Sequence, residues 1–159
     1  MARSIRLRIP QGPGPAVGRS ALLKLYVREP GTETMLRLAA APQHRIAVSG
    51  LAAVEFRCAV RRRERAGDIP AATARALLDR LQRHLVTAFL QQPLNDSVLG
   101  LAANLADRHP LRALDAVQLA ACLALRENSE PPLVFVCSDG VLLTAAADEG
   151  LRWLNPMHG

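Results

Sequence analysis

Two periods of hydrophobicity interleave along this chain. Leu77, Leu78, Leu81 and Leu85 recur with the spacing of one helix face. Leu111 to Leu125, LRALDAVQLAACLAL, is helical in length and so uniformly apolar that it has to lie inside the protein. Short apolar runs bounded by turn residues read instead as buried strands. The clearest is Leu133 to Cys137, LVFVC, set between Pro131-Pro132 and Ser138-Asp139-Gly140.

The elements follow in order. A helical turn or two starts at Ser20 and is ended by Pro30-Gly31, and a second helix covers 32–41. Arg45 to Ser49 is a short strand, with Ser49 placed to cap a helix from Gly50 to about Ala66 that Gly67 closes. Asp68-Ile69-Pro70 opens the leucine-striped helix, Pro70 sitting in its first turn. Residues 89–94 read as an edge strand, 96–108 as a helix, and His109-Pro110 separates that helix from the apolar one. After the strand at 133–137 come a helix over 141–148 and a last strand over 151–155. Strands alternating with helices predict an α/β domain with a mostly parallel sheet. With 159 residues the chain makes one domain, burying roughly 70% of its unfolded surface.

Residues 1–19 fit this pattern least. Ile5, Leu7 and Ile9 alternate with Arg6 and Arg8 as in a short strand, but Pro10 and the GPGP run at 12–15 break it, leaving an Ala16-Val17 remnant.

Composition narrows the picture. Half the residues are apolar and only 3% aromatic, so the core is built from Leu, Ala and Val. The net charge is +6 and Lys24 is the only lysine, so the positive charge is guanidinium, which suits bidentate contact with phosphate or carboxylate. The same enrichment in Arg and Ala is also what GC-rich codon usage produces. Cys58, Cys122 and Cys137 are odd in number and scattered through apolar sequence, which predicts core thiols in a reducing compartment. The four histidines have no zinc spacing. No apolar run reaches the roughly 18 residues of a membrane span, and the N-terminus lacks a signal-peptide core, so the expected location is the cytoplasm. P-loop, dinucleotide-loop and nucleophile-elbow motifs are missing from the sequence.

Three acids stand in apolar surroundings. Asp115 opens the interior helix, with Arg112 three residues before it as a possible surface partner. Glu55 has Leu51, Ala52, Cys58 and Ala59 at its helical neighbour positions instead of a cation, and Asp139 ends the strand LVFVC in good turn chemistry. Carboxylates gathered in one place repel unless a divalent cation sits among them, and hard oxygen ligands select magnesium or manganese. Such an ion activates water and stabilises a phosphodiester transition state. The RRRER run at 61–65 lies in the last turns of its helix, where cations favour the macrodipole, and is a candidate phosphate contact or a solvated helix end.

The segments SALLKLYVREPGTE, IAVSGLAAVEFRCAVRRRERAG, HPLRALDAVQLAACLAL and VFVCSDGVLLTAAADEGLRWLNP, in this order over 18–156, resemble the PIN-domain toxins of the VapC type. The resemblance implies a PIN-like three-layer α/β/α fold with a central sheet flanked by helices. It implies a magnesium- or manganese-dependent endoribonuclease acting on structured RNA, and a cytoplasmic homodimer inhibited by a cognate VapB-type antitoxin whose C-terminal segment lies over the acidic groove. Glu55, Asp115 and Asp139 match three of that family's four metal-site acids. Ser20 matches the small hydroxyl residue that accompanies the first acid, and Ser138 stands beside the last as a supporting residue.

One position departs. The family's first strand ends in Asp-x-Ser or Asp-x-Thr, where this chain reads Gly18-Arg19-Ser20, and GPGPAVG offers too few apolar residues for a central strand. Residue and strand are expected to be lost together, either in a degenerating toxin or because the reading frame of 1–19 is displaced. Arg19, beside the gap, is placed to enter the site and pair with its acids. The expected outcome is an impaired nuclease, with an inactive module that binds antitoxin or RNA as the alternative.

Overall fold

A computed structural model describes residues 16–42, 44–127 and 133–158. The expected strand at 5–9, the breaks at 10–15 and the prolines at 131 and 132 lie outside the described residues. Five strands form one sheet: β1 (Ala16–Val17), β2 (Ala47–Ser49), β3 (Leu90–Gln92), β4 (Val134–Val136) and β5 (Arg152–Leu154). Their order is β3-β2-β1-β4-β5 and every neighbouring pair is parallel. The helices are α1 (Arg19–Leu23), α2 (Thr32–Ala40), α3 (Ala52–Arg65), α4 (Ala71–Thr87), α5 (Asp96–Arg108), α6 (Ala113–Arg126) and α7 (Gly140–Asp148).

Side chains of successive strand residues point to opposite faces, and the two halves of the core follow that alternation. Ala16, Ala47 and Phe135 face a cluster with Val98 and Leu105 of α5, Leu119 of α6 and Leu142 of α7. Val17, Val48 and Val136 face the other, with Leu22 of α1, Met35 of α2, Phe56 and Val60 of α3 and Leu78 and Leu81 of α4. The result is three layers, helices on both faces of the sheet. Each fully buried side chain of the size of Phe56, Phe135 or Leu119 contributes roughly 1.5–3 kcal/mol relative to its exposed state.

The first strand is degenerate, as its sequence predicts, yet it is not lost. Ala16 pairs with Ala47 on one side and Phe135 on the other, Val17 pairs with Val136, and the Gly18 N–H donates to the Val136 carbonyl at 2.9 Å. The neighbouring strands are only three residues long, so two apolar residues and one glycine N–H fill the centre.

Two local expectations need correction. Ser49 does not cap α3. It is the last residue of β2, in register with Gln92, and a turn through Gly50 delays the helix so that its N-cap is Leu51 with no side-chain cap bond. Cys58 is not a core thiol. It is exposed, because the buried stripe of α3 runs through Ala52, Glu55, Phe56 and Val60 and turns position 58 outward; Cys122 and Cys137 are buried as expected.

Connectivity sets the location of the site. The chain builds outward from β1 through β2 to β3, then crosses to β4 on the other side of β1 and finishes at β5. Between β1 and β4 the direction of winding reverses, and the carboxyl ends of strands at such a reversal form the crevice where open α/β sheets bind ligands.

Candidate functional site

Gly18 follows β1 and Cys137-Ser138-Asp139 follow β4, so both strands that flank the reversal deliver their next residues to this edge. Glu55 reaches the same edge in the first turn of α3, one short turn beyond β2. Asp115 lies half-buried in the first turn of α6.

Glu55 is 7% exposed, and its Oε2 accepts a 2.7 Å hydrogen bond from the Nε2 of Gln118, itself 6% exposed. A buried carboxylate is held only where donors satisfy it, and a bond to an ionised acceptor is worth more than a neutral one. Gln118 sits one helical turn beyond Asp115, so both project from the same side of α6. Its other end faces Gly18. A Cβ at position 18 would stand 3.1 Å from Gln118 Oε1, 3.5 Å from the Val136 carbonyl and 3.6 Å from Cys137 Cβ. A cavity of about 20 Å³, bordered by Gly18, Ser49, Gln92, Gln118 and Cys122, lies against this spot.

Gln118 is the residue that reading for acids missed. It was visible as the one polar side chain in AVQLAACLAL, three positions after Asp115 and therefore on the same helix face.

The backbone does not require glycine at 18. Gly18 is the N-cap of α1 with φ −71° and ψ 164°, an extended conformation open to any residue, and the cap lacks a side-chain hydrogen bond. Aspartate is among the best N-cap residues. Ser20 stands in the first turn of α1, two positions beyond the gap.

Asp139 is exposed and already employed: its Oδ1 accepts the Leu142 N–H at 3.0 Å, capping α7. Its own N–H donates to Cys137 Sγ at 3.3 Å. Ser138, between them, is half-buried. Thus Gly18, Glu55 and the first turns of α6 converge, with Asp139 at the same edge as a helix cap.

A divalent cation requires several oxygen ligands directed at one point. Among the described residues no group of three or more His, Cys, Asp or Glu side chains is arranged to hold an ion. Position 18 offers no side-chain oxygen, and Glu55 and Asp139 each have one carboxylate oxygen engaged, by an amide and by a helix end, so the described acids are not gathered into a ready cation site.

Burial pushes the Cys122 thiol up to about 12, against a smaller opposing pull from Arg126. Elsewhere in the α1–α4 layer the Tyr26 hydroxyl lies 2.7 Å from His84 Nδ1. Burial holds the tyrosine well above its usual range, and burial together with Arg80 and Arg83 holds the imidazole below its usual value. With both groups neutral, the hydroxyl and the ring nitrogen share one hydrogen bond whose direction is set by the imidazole tautomer.

The fold has solved counterparts. The VapBC2 structure from Rickettsia felis, bound to a DNA fragment from its promoter, matches with a TM-score of 0.61 at 13% identity, over 89% of this chain and 98% of that one. FitAcB from Neisseria gonorrhoeae matches with a TM-score of 0.64 at 16% identity, over 91% and 99%. A FitAB complex bound to a DNA fragment also matches, with a TM-score of 0.64 at 16% identity over 91% of this chain and 96% of that one. At such identities the likeness is one of fold. No protein with a curated description matches the chain. The sequence profile described as "PIN domain", however, matches residues 17–135, from the end of β1 into β4, and takes in Gly18, Glu55 and Asp115 but not Asp139. On that match, over most of its length, the chain belongs to the PIN domain family.

Proposed function

We propose that this chain is the toxin-type component of a toxin–antitoxin pair, a PIN domain of the kind that hydrolyses RNA with magnesium or manganese, and that in this copy the nuclease is impaired at position 18. The observation that carries the reading is the Gly18–Gln118–Glu55 arrangement. Where a first acid would complete the cation's ligands, a glycine leaves no oxygen, and the Gln118 amide supplies the donor that Glu55 needs. In the family role, the cation would activate water and stabilise charge on the phosphodiester. Glu55, Asp115 and Asp139 are the acids of this chain assigned to hold it, with Ser20 and Ser138 in support. Likeness in fold to the VapBC2 and FitAB complexes supports a VapB-type antitoxin as the partner. Assembly as a homodimer is part of the same reading, and antitoxin binding is the function that survives loss of the first acid. No described helix is long and apolar enough to cross a membrane.

The test is thermal unfolding in the presence of manganese. Ligand binding to the native state raises its stability by RT ln(1 + [L]/Kd), so at a concentration ~100-fold above Kd the gain is about 2.7 kcal/mol. The chain as it stands is expected to show no manganese-dependent shift, while Gly18→Asp gains one, Gln118 giving way by a few tenths of an ångström toward the adjoining cavity. A manganese shift of equal size in both proteins contradicts the proposal.

A further inference from the structure

We propose that the outward face of the α3–α4 hairpin is a phosphate-binding surface that holds structured RNA. Residues 52–87, which span the two helices and their turn, carry eight arginines against four acids, four of the net +6 of the whole chain. Both helices bury one stripe in the same core, Phe56 and Val60 from α3 and Ala74, Leu78, Leu81 and Leu85 from α4. The opposite stripes are exposed and bear Arg57, Arg61, Arg62 and Arg65 on α3 and Arg75 and Arg83 on α4.

Among the described residues most of these guanidinium groups have no ion-pair partner. Arg61 is paired with Glu64 at 2.6 Å, whereas Arg57, Arg62, Arg65, Arg75 and Arg83 form no ion pair among the described residues. Arg57, Arg61 and Arg65 follow one another at i, i+4 and i+8, an arrangement in which like charges repel along one helix face. The macrodipole favours cations in the last turn, which accounts for Arg62 and Arg65 but not for Arg57 in the middle of the helix. A bound polyanion relieves that repulsion. At ~1.5 Å of rise per residue the three guanidinium groups repeat about every 6 Å, an interval suited to successive phosphates of one strand, and Arg is the side chain whose planar fork matches a phosphate.

The position of the face favours RNA as the polyanion. Arg57 lies about one and a half turns into α3, so the arginine stripe starts near the helix end that adjoins the carboxyl edge of the sheet, on the side of the helix turned away from the buried Glu55. An RNA lying along this stripe passes that end of the helix. The choice of RNA rests on the function proposed above; the choice of phosphate rests on the arginines alone.

Fluorescence anisotropy of a labelled RNA hairpin, titrated with the full chain in EDTA over a series of salt concentrations, tests this. EDTA silences metal chemistry, so failure of the nuclease reading leaves the result intact. Arg57→Gln/Arg61→Gln/Arg65→Gln is expected to weaken binding about tenfold or more, with the log–log salt slope falling by about one for each phosphate contact removed. Arg75→Gln/Arg83→Gln should shift it in the same direction. Arg28→Gln/Arg45→Gln/Arg152→Gln, which removes the same charge as the α3 triple variant but elsewhere, should bind like the unmodified chain. Equal loss in that control would overturn the proposal, because net charge alone would then explain binding. So would binding to duplex DNA or phosphatidylserine vesicles through the same arginines without binding to the hairpin.

Discussion

Gln118 ties two parts of the site together. Its Nε2 satisfies Glu55 while its Oε1 fills the space above Gly18. Replacing it with leucine keeps the volume and removes the donor, leaving a buried carboxylate short of a bond, which costs about 1–3 kcal/mol. For a domain of this size Tm is expected to fall by roughly 2–4 °C per kcal/mol. A Gln118→Leu chain with unchanged Tm would show that Glu55 draws its support elsewhere. The thiols make a second residue-level contrast. Exposed Cys58 is expected to react with an alkylating agent at mildly alkaline pH, whereas Cys122, buried and with its thiol pushed up to about 12, stays unmodified in the native protein. Mass spectrometry of the labelled peptides checks this, and comparable labelling at position 122 would contradict it. The burial of Glu55 was legible in sequence because a carboxylate on an apolar helix face is conspicuous. The amide that answers Glu55 comes from sixty-three residues away, and no local pattern pairs the two.

Among the elements, legibility followed the strength of the terminating chemistry. The helix expected over 96–108 appears with those bounds because Asn95 accepts the Val98 N–H at its start and His109-Pro110 stops it. The cap assigned to Ser49 failed because a turn through Gly50 separates β2 from α3, whose N-cap is Leu51. β1 was harder still: its stability comes from two neighbours that sequence does not display, so two residues form a strand where local pattern predicts a broken one. At the seam between α4 and the turn after α1, Tyr26 and His84 give a pH-dependent prediction. The folded imidazole lies below its ordinary 6.5, for burial first and then for Arg80 and Arg83. Below pH 6.5 the unfolded chain therefore takes up a proton that the folded one resists, so this contribution is complete at neutral pH and is lost as the pH falls. Between about pH 7 and pH 5 the Tm of the unmodified chain should fall more steeply than that of His84→Gln. Parallel curves would contradict the assignment.

At the scale of the whole molecule, alternating strands and helices give the parallel sheet, the reversal of winding beside β1 marks one edge as its crevice, and the PIN domain match covers 17–135. The fold was readable because each apolar run has the period of the element it forms. The site was only half readable: Gly18-Arg19-Ser20 is plain in the sequence, while the hydrogen bond between Gln118 and Glu55 requires α3 and α6 to be brought together. The central claim is that one absent carboxylate separates this copy from a working nuclease. Cleavage of a mixed RNA pool with manganese, by the chain as it stands and by Gly18→Asp, tests it most directly. The account predicts that the unmodified chain leaves the pool near its uncatalysed background and that the aspartate variant cuts it only while manganese is present. Manganese-dependent cutting by the unmodified chain at the rate of the variant would contradict it.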